Sequence, residues 1–274
     1  MKKVILDKAK IGYIHKGKKG KPKILMLHGL FSNCRYFDET ISFIKNDFEI
    51  IAPDFPGFGL SDKLKTVSHT LESYSESIIQ LCDHLDFKPF NLIGASLGGM
   101  VGIKLASDYD EYISKVIIQA APWNKSCINM RIIEKTFDFA SRMEKLVNVV
   151  DGLKNRIKKE TLTKTLKMFN KHYYSIEERN GCISYSFKRM NLKATSQIWN
   201  NLKDAELSEK AKRIEKKTLV IAGDHDEIVF PEKTKMLAEF IKDSEFRLIK
   251  GIDCTHALFF DHPDKMARLI KSFF

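Results

Sequence analysis

Six short apolar runs, each four or five residues long, are the strongest constraint on the fold of this 274-residue chain. Most of them stop at or just before a glycine or a proline, as buried strands do. Segments of helical length lie between the runs. This alternation predicts an α/β fold, a parallel sheet with helices on both faces and an antiparallel edge hairpin within residues 3–15. The runs occupy residues 24–27, 48–52, 90–93, 116–120, 218–222 and 246–249. The predicted helices occupy residues 71–85, 97–106, 231–241 and 262–274.

The alternation stops between residues 123 and 214, where helical periodicity continues without a buried strand. An insertion here leaves the sheet at the carboxyl end of a strand, which is the ligand edge of an open α/β sheet. We therefore expect residues 1–122 and 215–274 to form the core. Residues 123–214, called the lid below, should form a helical cap over the site.

Composition excludes several classes of protein. The chain is 43% hydrophobic, enough for a sizeable core, and no run approaches the roughly 18 apolar residues that cross a bilayer. The apolar stretch near the start is too short for a signal peptide. Five cysteines without CxxC spacing argue against a disulfide framework and for the reducing cytoplasm. Because metal-ligand spacings and phosphate-binding glycine loops are absent from the sequence, we expect no metal and no nucleotide cofactor.

The strongest chemical signal is the sequence GASLG at residues 94–98, between a predicted strand and a predicted helix. A sharp strand-to-helix turn brings backbones close together, so Gly94 and Gly98 avoid clashes while Ser96 is exposed at the turn. This context, called the elbow below, indicates a nucleophilic serine. The amide of Leu97, at the helix start, should face a developing oxyanion.

A serine hydroxyl needs a base to remove its proton, and a carboxylate must orient that base. His256, in a polar loop after the last apolar run, is the predicted base for Ser96. Asp226, in the turn after the fifth run, is the predicted carboxylate. Asp224 is the second choice in this polar turn and Glu227 the third.

The loop after the first inner strand should supply a second oxyanion donor. We assign it to the backbone amide of Leu30, with Phe31 as the alternative. His28, at the start of this loop, is expected to brace neighbouring loops through hydrogen bonds rather than to react.

Together these motifs resemble the α/β-hydrolase superfamily, in the branch with a helical cap. The resemblance rests on the HG turn at 28–29, the sequence DFPGFGLS at 54–61, the elbow at 94–98, and the Asp226 and His256 pair. It covers nearly the whole chain. It implies a mostly parallel sheet of eight strands, an oxyanion hole, and a cap inserted after the sixth strand.

The elbow residue narrows the expected reaction. Haloalkane dehalogenases and epoxide hydrolases of this superfamily carry Asp there, whereas Ser96 favours acyl transfer through a serine ester. We expect a hydrolase of small-molecule carboxylic esters. Two alternatives remain open: a carbon–carbon bond hydrolase or lyase acting on an anionic substrate with the same triad, and a non-catalytic small-ligand receptor.

The net charge of +11 is concentrated in the lid, which holds 20 of the 46 Lys and Arg but 10 of the 35 Asp and Glu. This charge fits either an anionic substrate or membrane surface, or simply a solvated helical face, and we favour the solvated face. The basic pairs at 158–159 and 188–189 lack interleaved aromatic residues, so no nucleic-acid partner is expected. No stable membrane association is expected either. Among the aromatic residues, Phe31 and Trp123 are predicted to contact the substrate.

Overall fold

The structure is a computed structural model, and it describes residues 1–138, 186, 189–251 and 253–274. Its centre is an eight-stranded sheet with the strand order β1-β2-β4-β3-β5-β6-β7-β8. Strand β2 is antiparallel to β1 and β4, and the other neighbouring strands are parallel. The predicted sheet and edge hairpin are confirmed. The strands are β1 (Lys2–Ile5), β2 (Lys10–Gly17), β3 (Lys23–Leu27), β4 (Glu49–Pro53), β5 (Phe90–Ala95), β6 (Ile113–Gln119), β7 (Thr218–Gly223) and β8 (Ser244–Ile249).

Helices cover both faces of the sheet. The four predicted helices correspond to α2, α3, α6 and α8, with ends within two residues of the prediction. Two short helices, α1 and α7, were not predicted, because their lengths give too few turns for a periodic signal. The helices are α1 (Asp38–Ile44), α2 (Leu71–His84), α3 (Leu97–Asp108), α4 (Leu192–Leu202), α5 (Ser208–Lys212), α6 (Pro231–Phe240), α7 (Leu258–Asp261) and α8 (Pro263–Phe273).

The inner strands are buried on both faces, which explains their uninterrupted apolar sequences. In β3, Ile24 and Met26 join the core cluster formed with α1, α7 and α8. Leu25 and Leu27 point to the opposite face and join the cluster formed with α2, α3 and α6. All four side chains are fully buried. Because these strands are parallel neighbours, the carboxyl ends of β3, β5, β6 and β7 meet at one edge of the sheet.

The described part of the lid is mostly helical and contacts the loop after β4 and the start of α2. Residues 130–138 are helical, and α4 and α5 precede β7. The amide of Asn191 donates to the carbonyl of Gly57 at 2.9 Å. The amide of Leu71, where α2 begins, donates to Asn201 Oδ1 at 2.9 Å. The basic pair at 158–159 and residue 188 lie outside the described residues.

None of the described helices is long and apolar enough to cross a membrane. Four of the five cysteines are described, and all four are buried, free thiols: Cys34, Cys82, Cys127 and Cys254.

Candidate active site

Ser96 occupies a strained turn between β5 and α3. Its φ is 53° and its ψ is −114°, values that side chains with a Cβ rarely adopt. The flanking glycines are sterically required. A Cβ on Gly94 would lie 2.4 Å from the carbonyl oxygen of Gly98, and a Cβ on Gly98 would lie 2.0 Å from the carbonyl oxygen of Leu27. The sequence GASLG therefore forms the sharp turn that its spacing predicted.

His256 and Asp226 form a short hydrogen bond at the same sheet edge. His256 Nδ1 lies 2.8 Å from Asp226 Oδ2. The second carboxylate oxygen, Asp226 Oδ1, accepts the amides of Ile228 and Val229, each at 2.9 Å. The side chain of Asp226 is completely buried and that of His256 is 15% exposed. The network assigns a proton to Nδ1 and leaves Nε2 as the acceptor.

The other acidic candidates of this turn point elsewhere. Asp224 pairs with the exposed ring of His225, whose Nδ1 is 2.9 Å from Asp224 Oδ1. Asp224 Oδ2 also accepts the amide of Gly251 at 3.3 Å. Glu227 is exposed to solvent. Of the three carboxylates, the structure brings Asp226 to His256.

Ser96 Oγ forms no hydrogen bond with His256 or with any other residue that the structure describes. A residue that the sequence did not single out, Gln119, contacts both instead. Its carbonyl accepts the Ser96 amide at 2.8 Å, and its side-chain amide donates to the carbonyl of His256 at 2.9 Å. The available signal was a polar residue that ends an apolar run.

The HG loop lies directly beside the serine. A Cβ on Gly29 would be 3.3 Å from Ser96 Cβ, so a glycine allows this close approach. His28 braces the loop as expected: its Nδ1 donates to the carbonyl of Gly29 at 2.8 Å, and its Nε2 accepts the Phe55 amide at 3.0 Å. Burial lowers the pKa of His28, which keeps the ring neutral. Phe31, two residues beyond Gly29, has a φ of 61°.

Asp54 explains the DFPGFGLS motif in structural terms. Its buried carboxylate accepts the amides of Cys34 and Leu60, each at 2.7 Å. Ser61 Oγ donates to the carbonyl of Asp54 at 2.7 Å. Gly59 has a φ of 53°, and a Cβ there would lie 2.3 Å from Asp54 Cγ. The motif thus ties the loop after β4 to the segment that follows the HG turn.

The two residues predicted to contact the substrate have different surroundings. The ring centroid of Phe31 lies 4.9 Å from that of Phe137 in the lid, and the ring centroid of Phe137 lies 5.7 Å from that of Trp199. Trp123 donates through Nε1 to the carbonyl of Lys233 at 3.0 Å. Its ring also packs edge-on against Phe240, so Trp123 anchors α6. A role of Trp123 toward the substrate stays a prediction.

Comparison with known proteins identifies the family of the chain. A family model described as alpha/beta hydrolase fold matches residues 22–263. The uncharacterized hydrolase YugF of Bacillus subtilis (strain 168) is 29% identical over 118 residues, a match that spans 43% of each chain. Pyrrolizixenacetamide deacetylase of Xenorhabdus hominickii is 23% identical over 280 residues, covering 100% of this chain and 97% of the relative.

A solved structure of a putative lipase from Acinetobacter baumannii AYE superposes with a TM-score of 0.78 at 16% identity. The match covers 99% of this chain and 89% of that one. At this identity the likeness shows the fold alone. The family model, which spans most of the chain, shows that the protein belongs to the α/β-hydrolase family.

Proposed function

We propose that this protein is a serine hydrolase that cleaves a small-molecule carboxylic ester through an acyl-Ser96 intermediate. The observation that carries the proposal is the buried hydrogen bond between His256 and Asp226, at the sheet edge where Ser96 occupies its strained turn. A nucleophile, a base and an orienting carboxylate are the groups that acyl transfer requires.

In the first half-reaction, Ser96 Oγ attacks the ester carbonyl while His256 Nε2 takes the hydroxyl proton. The amides of Leu97 and Leu30 donate to the oxyanion that forms. Leu97 is the first residue of α3, where an amide has no acceptor within the helix. The C–O bond to the alcohol then breaks, and the imidazolium of His256 returns its proton to the departing alkoxide.

In the second half-reaction, His256 Nε2 takes a proton from water, and the resulting hydroxide attacks the acyl-Ser96 carbonyl. The bond to Ser96 Oγ breaks, His256 returns the proton to the serine, and the carboxylic acid leaves. Asp226 remains ionised throughout. It accepts the hydrogen bond from the Nδ1–H group of His256 and stabilises the imidazolium in both half-reactions.

Aromatic side chains around the HG loop favour an apolar acyl group. Phe31 follows the proposed donor Leu30 directly, and its ring contacts Phe137, which in turn contacts Trp199. Small-ligand pockets are built mainly from such side chains with a few fixed polar groups. The name of one similar protein that matches this chain over its full length, a deacetylase, agrees with acyl transfer as the reaction class.

The test combines a fluorophosphonate probe with a panel of p-nitrophenyl esters of different chain lengths. The wild type should be labelled and should turn over esters, whereas Ser96→Ala should not be labelled. Its kcat should fall by about 10³-fold or more. A folded Ser96→Ala variant with near-normal turnover would refute the mechanism.

Two other outcomes identify the alternatives. Turnover of vinylogous diketones without turnover of esters would indicate a carbon–carbon bond hydrolase. Tight binding without sustained turnover would indicate a receptor.

A further inference from the structure

Gln119 is a fully buried polar residue at the carboxyl end of β6, between the strands that carry Ser96 and Asp226. In the sheet register it pairs with Ala95 of β5 on one side and with Ile221 of β7 on the other. Ala95 immediately precedes Ser96. The fold therefore places an uncharged hydrogen-bonding side chain beside the nucleophile turn.

Gln119 forms hydrogen bonds to both partners of the proposed proton transfer. Its main-chain carbonyl accepts the amide of Ser96 at 2.8 Å. Its Nε2 donates to the main-chain carbonyl of His256 at 2.9 Å. Within the described part of the chain, Gln119 is the residue that bonds to both Ser96 and His256.

The third hydrogen bond of Gln119 orients its amide. Tyr36 donates through its hydroxyl to Gln119 Oε1 at 3.4 Å. The ring of Tyr36 is stacked with Phe260 at an interplanar angle of 5° and contacts Phe37 edge-on. This contact is long but favours the orientation in which the acceptor end of the amide faces Tyr36 and the donor end faces His256.

We propose that Gln119 is a positioning residue that fixes the distance between Ser96 Oγ and the imidazole of His256. The proposal rests on the proposed function of the triad. Asp226 restrains His256 at one point, ring atom Nδ1, and a ring held at one point can still tilt and shift. Gln119 restrains His256 at the main-chain carbonyl, so the two bonds together define where His256 Nε2 lies relative to Ser96.

The physical consequence is a geometric one. Without the donor Nε2 of the Gln119 side chain, the main-chain carbonyl of His256 loses its partner, and the loop after β8 is free to move relative to β6. A shift of about 1 Å between a nucleophile and its base costs about 10²-fold in rate. Binding of the acyl group depends on other residues, so kcat should change while KM stays nearly constant.

The decisive variant is Gln119→Met, which keeps the length and shape of the side chain and removes its donor. Its main-chain bond to Ser96 is retained. We expect kcat on the best ester of the panel to fall about 10- to 100-fold, with KM within about threefold. The rate of labelling of Ser96 by the fluorophosphonate probe should fall in parallel. If Gln119→Met does not fold, Gln119→Leu, whose apolar side chain also lacks the donor, replaces it.

Thr218→Val is the matched control. Thr218 is equally buried, and its Oγ1 donates to the carbonyl of Lys216 at 2.8 Å at the opposite end of β7. This variant removes one buried side-chain hydrogen bond far from the site. It should lower the melting temperature without changing kcat or the labelling rate. The role of Gln119 is overturned if the Gln119 variant loses less than tenfold in kcat, or if Thr218→Val loses as much.

Ser96→Ala, measured beside them, separates the two proposals. An active Ser96→Ala variant refutes the triad itself. An inactive Ser96→Ala variant together with a fully active Gln119→Met variant refutes only the positioning role.

Discussion

Asp226→Asn should inactivate the enzyme by fixing the wrong tautomer of His256. Asp226 Oδ1 accepts two amides, from Ile228 and Val229, each at 2.9 Å. In the variant, the carboxamide oxygen must occupy this position, because the amide nitrogen would face two donors. The nitrogen then faces His256 Nδ1, at the place where Oδ2 now lies 2.8 Å away. The ring accepts at Nδ1, carries its proton on Nε2, and cannot take the proton of Ser96.

The size of the effect follows from this tautomer change. A carboxylate-to-amide change of this kind in a Ser-His-Asp triad lowers kcat about 10⁴-fold, which is about 5.4 kcal/mol of activation free energy. The fold should survive, because the amide oxygen keeps both hydrogen bonds to Ile228 and Val229. KM should change little, since Asp226 is buried behind His256 and does not reach the substrate.

The assay is steady-state ester hydrolysis, with thermal unfolding as the check on folding. Asp224→Asn is the control, because Asp224 lies in the same turn but pairs with the exposed His225. Its kcat should stay within about threefold of the wild type, since exposed ion pairs contribute little. A folded Asp226→Asn variant that keeps more than a tenth of the wild-type kcat refutes the tautomer argument. The same loss in Asp224→Asn would show that the wrong carboxylate was assigned.

Two further predictions concern stability. Ser96→Gly should be more stable than Ser96→Ala by about 1 kcal/mol in chemical denaturation, because glycine adopts the φ of 53° without strain; equal stabilities would show that the turn is unstrained. Burial lowers the pKa of His69 from the usual 6.5 to about 4. Between these values the unfolded chain takes up a proton that folded His69 does not, so the free energy of unfolding should fall as pH is lowered through this window. His69→Gln should make that dependence shallower, and an unchanged pH dependence contradicts the assignment.

The sheet could be predicted from sequence because its inner strands are buried on both faces. Such strands need apolar side chains at every position, and their loops need glycine or proline, so both leave a continuous local pattern. Helix α1 leaves no such pattern in the sequence. It has seven residues, of which Thr40, Ile41 and Ile44 are buried, and this is too short to separate a helical period from chance.

The strained turn at Ser96 could be predicted for a steric reason. The close approach of backbones at the turn demands Gly94 and Gly98, and two glycines around a serine are visible in the sequence. No comparable local signal separates Asp224 from Asp226. Both lie in the same polar turn, and the direction of each side chain depends on the tertiary structure. Asp226 points inward because two amides of its own turn converge on its Oδ1.

The positioning role proposed for Gln119 could not be predicted from the sequence. Its side chain bonds to the carbonyl of a residue that lies 137 positions later in the chain. A polar residue at the end of a strand is common, and its partner becomes visible only when the loop after β8 has been placed. Local patterns therefore identify the turn at Ser96, whereas contacts such as the one between Gln119 and His256 depend on long-range geometry.

Backbone strain points to the same site without reference to any motif. Ser96 and Ala120 are both non-glycine residues with positive φ, 53° and 46°, and they follow the ends of neighbouring strands β5 and β6. Each such residue costs about 1–3 kcal/mol, a large part of a net stability of about 5–15 kcal/mol, so the surroundings must hold it in place. The bonds that do so continue the sheet ladder: Ser96 donates to Gln119 at 2.8 Å, and Ala120 donates to Ile221 at 2.9 Å. Two strained residues held by one ladder at the ligand edge support the proposal that the scaffold gives up stability there to keep Ser96, His256 and Gln119 in a fixed arrangement.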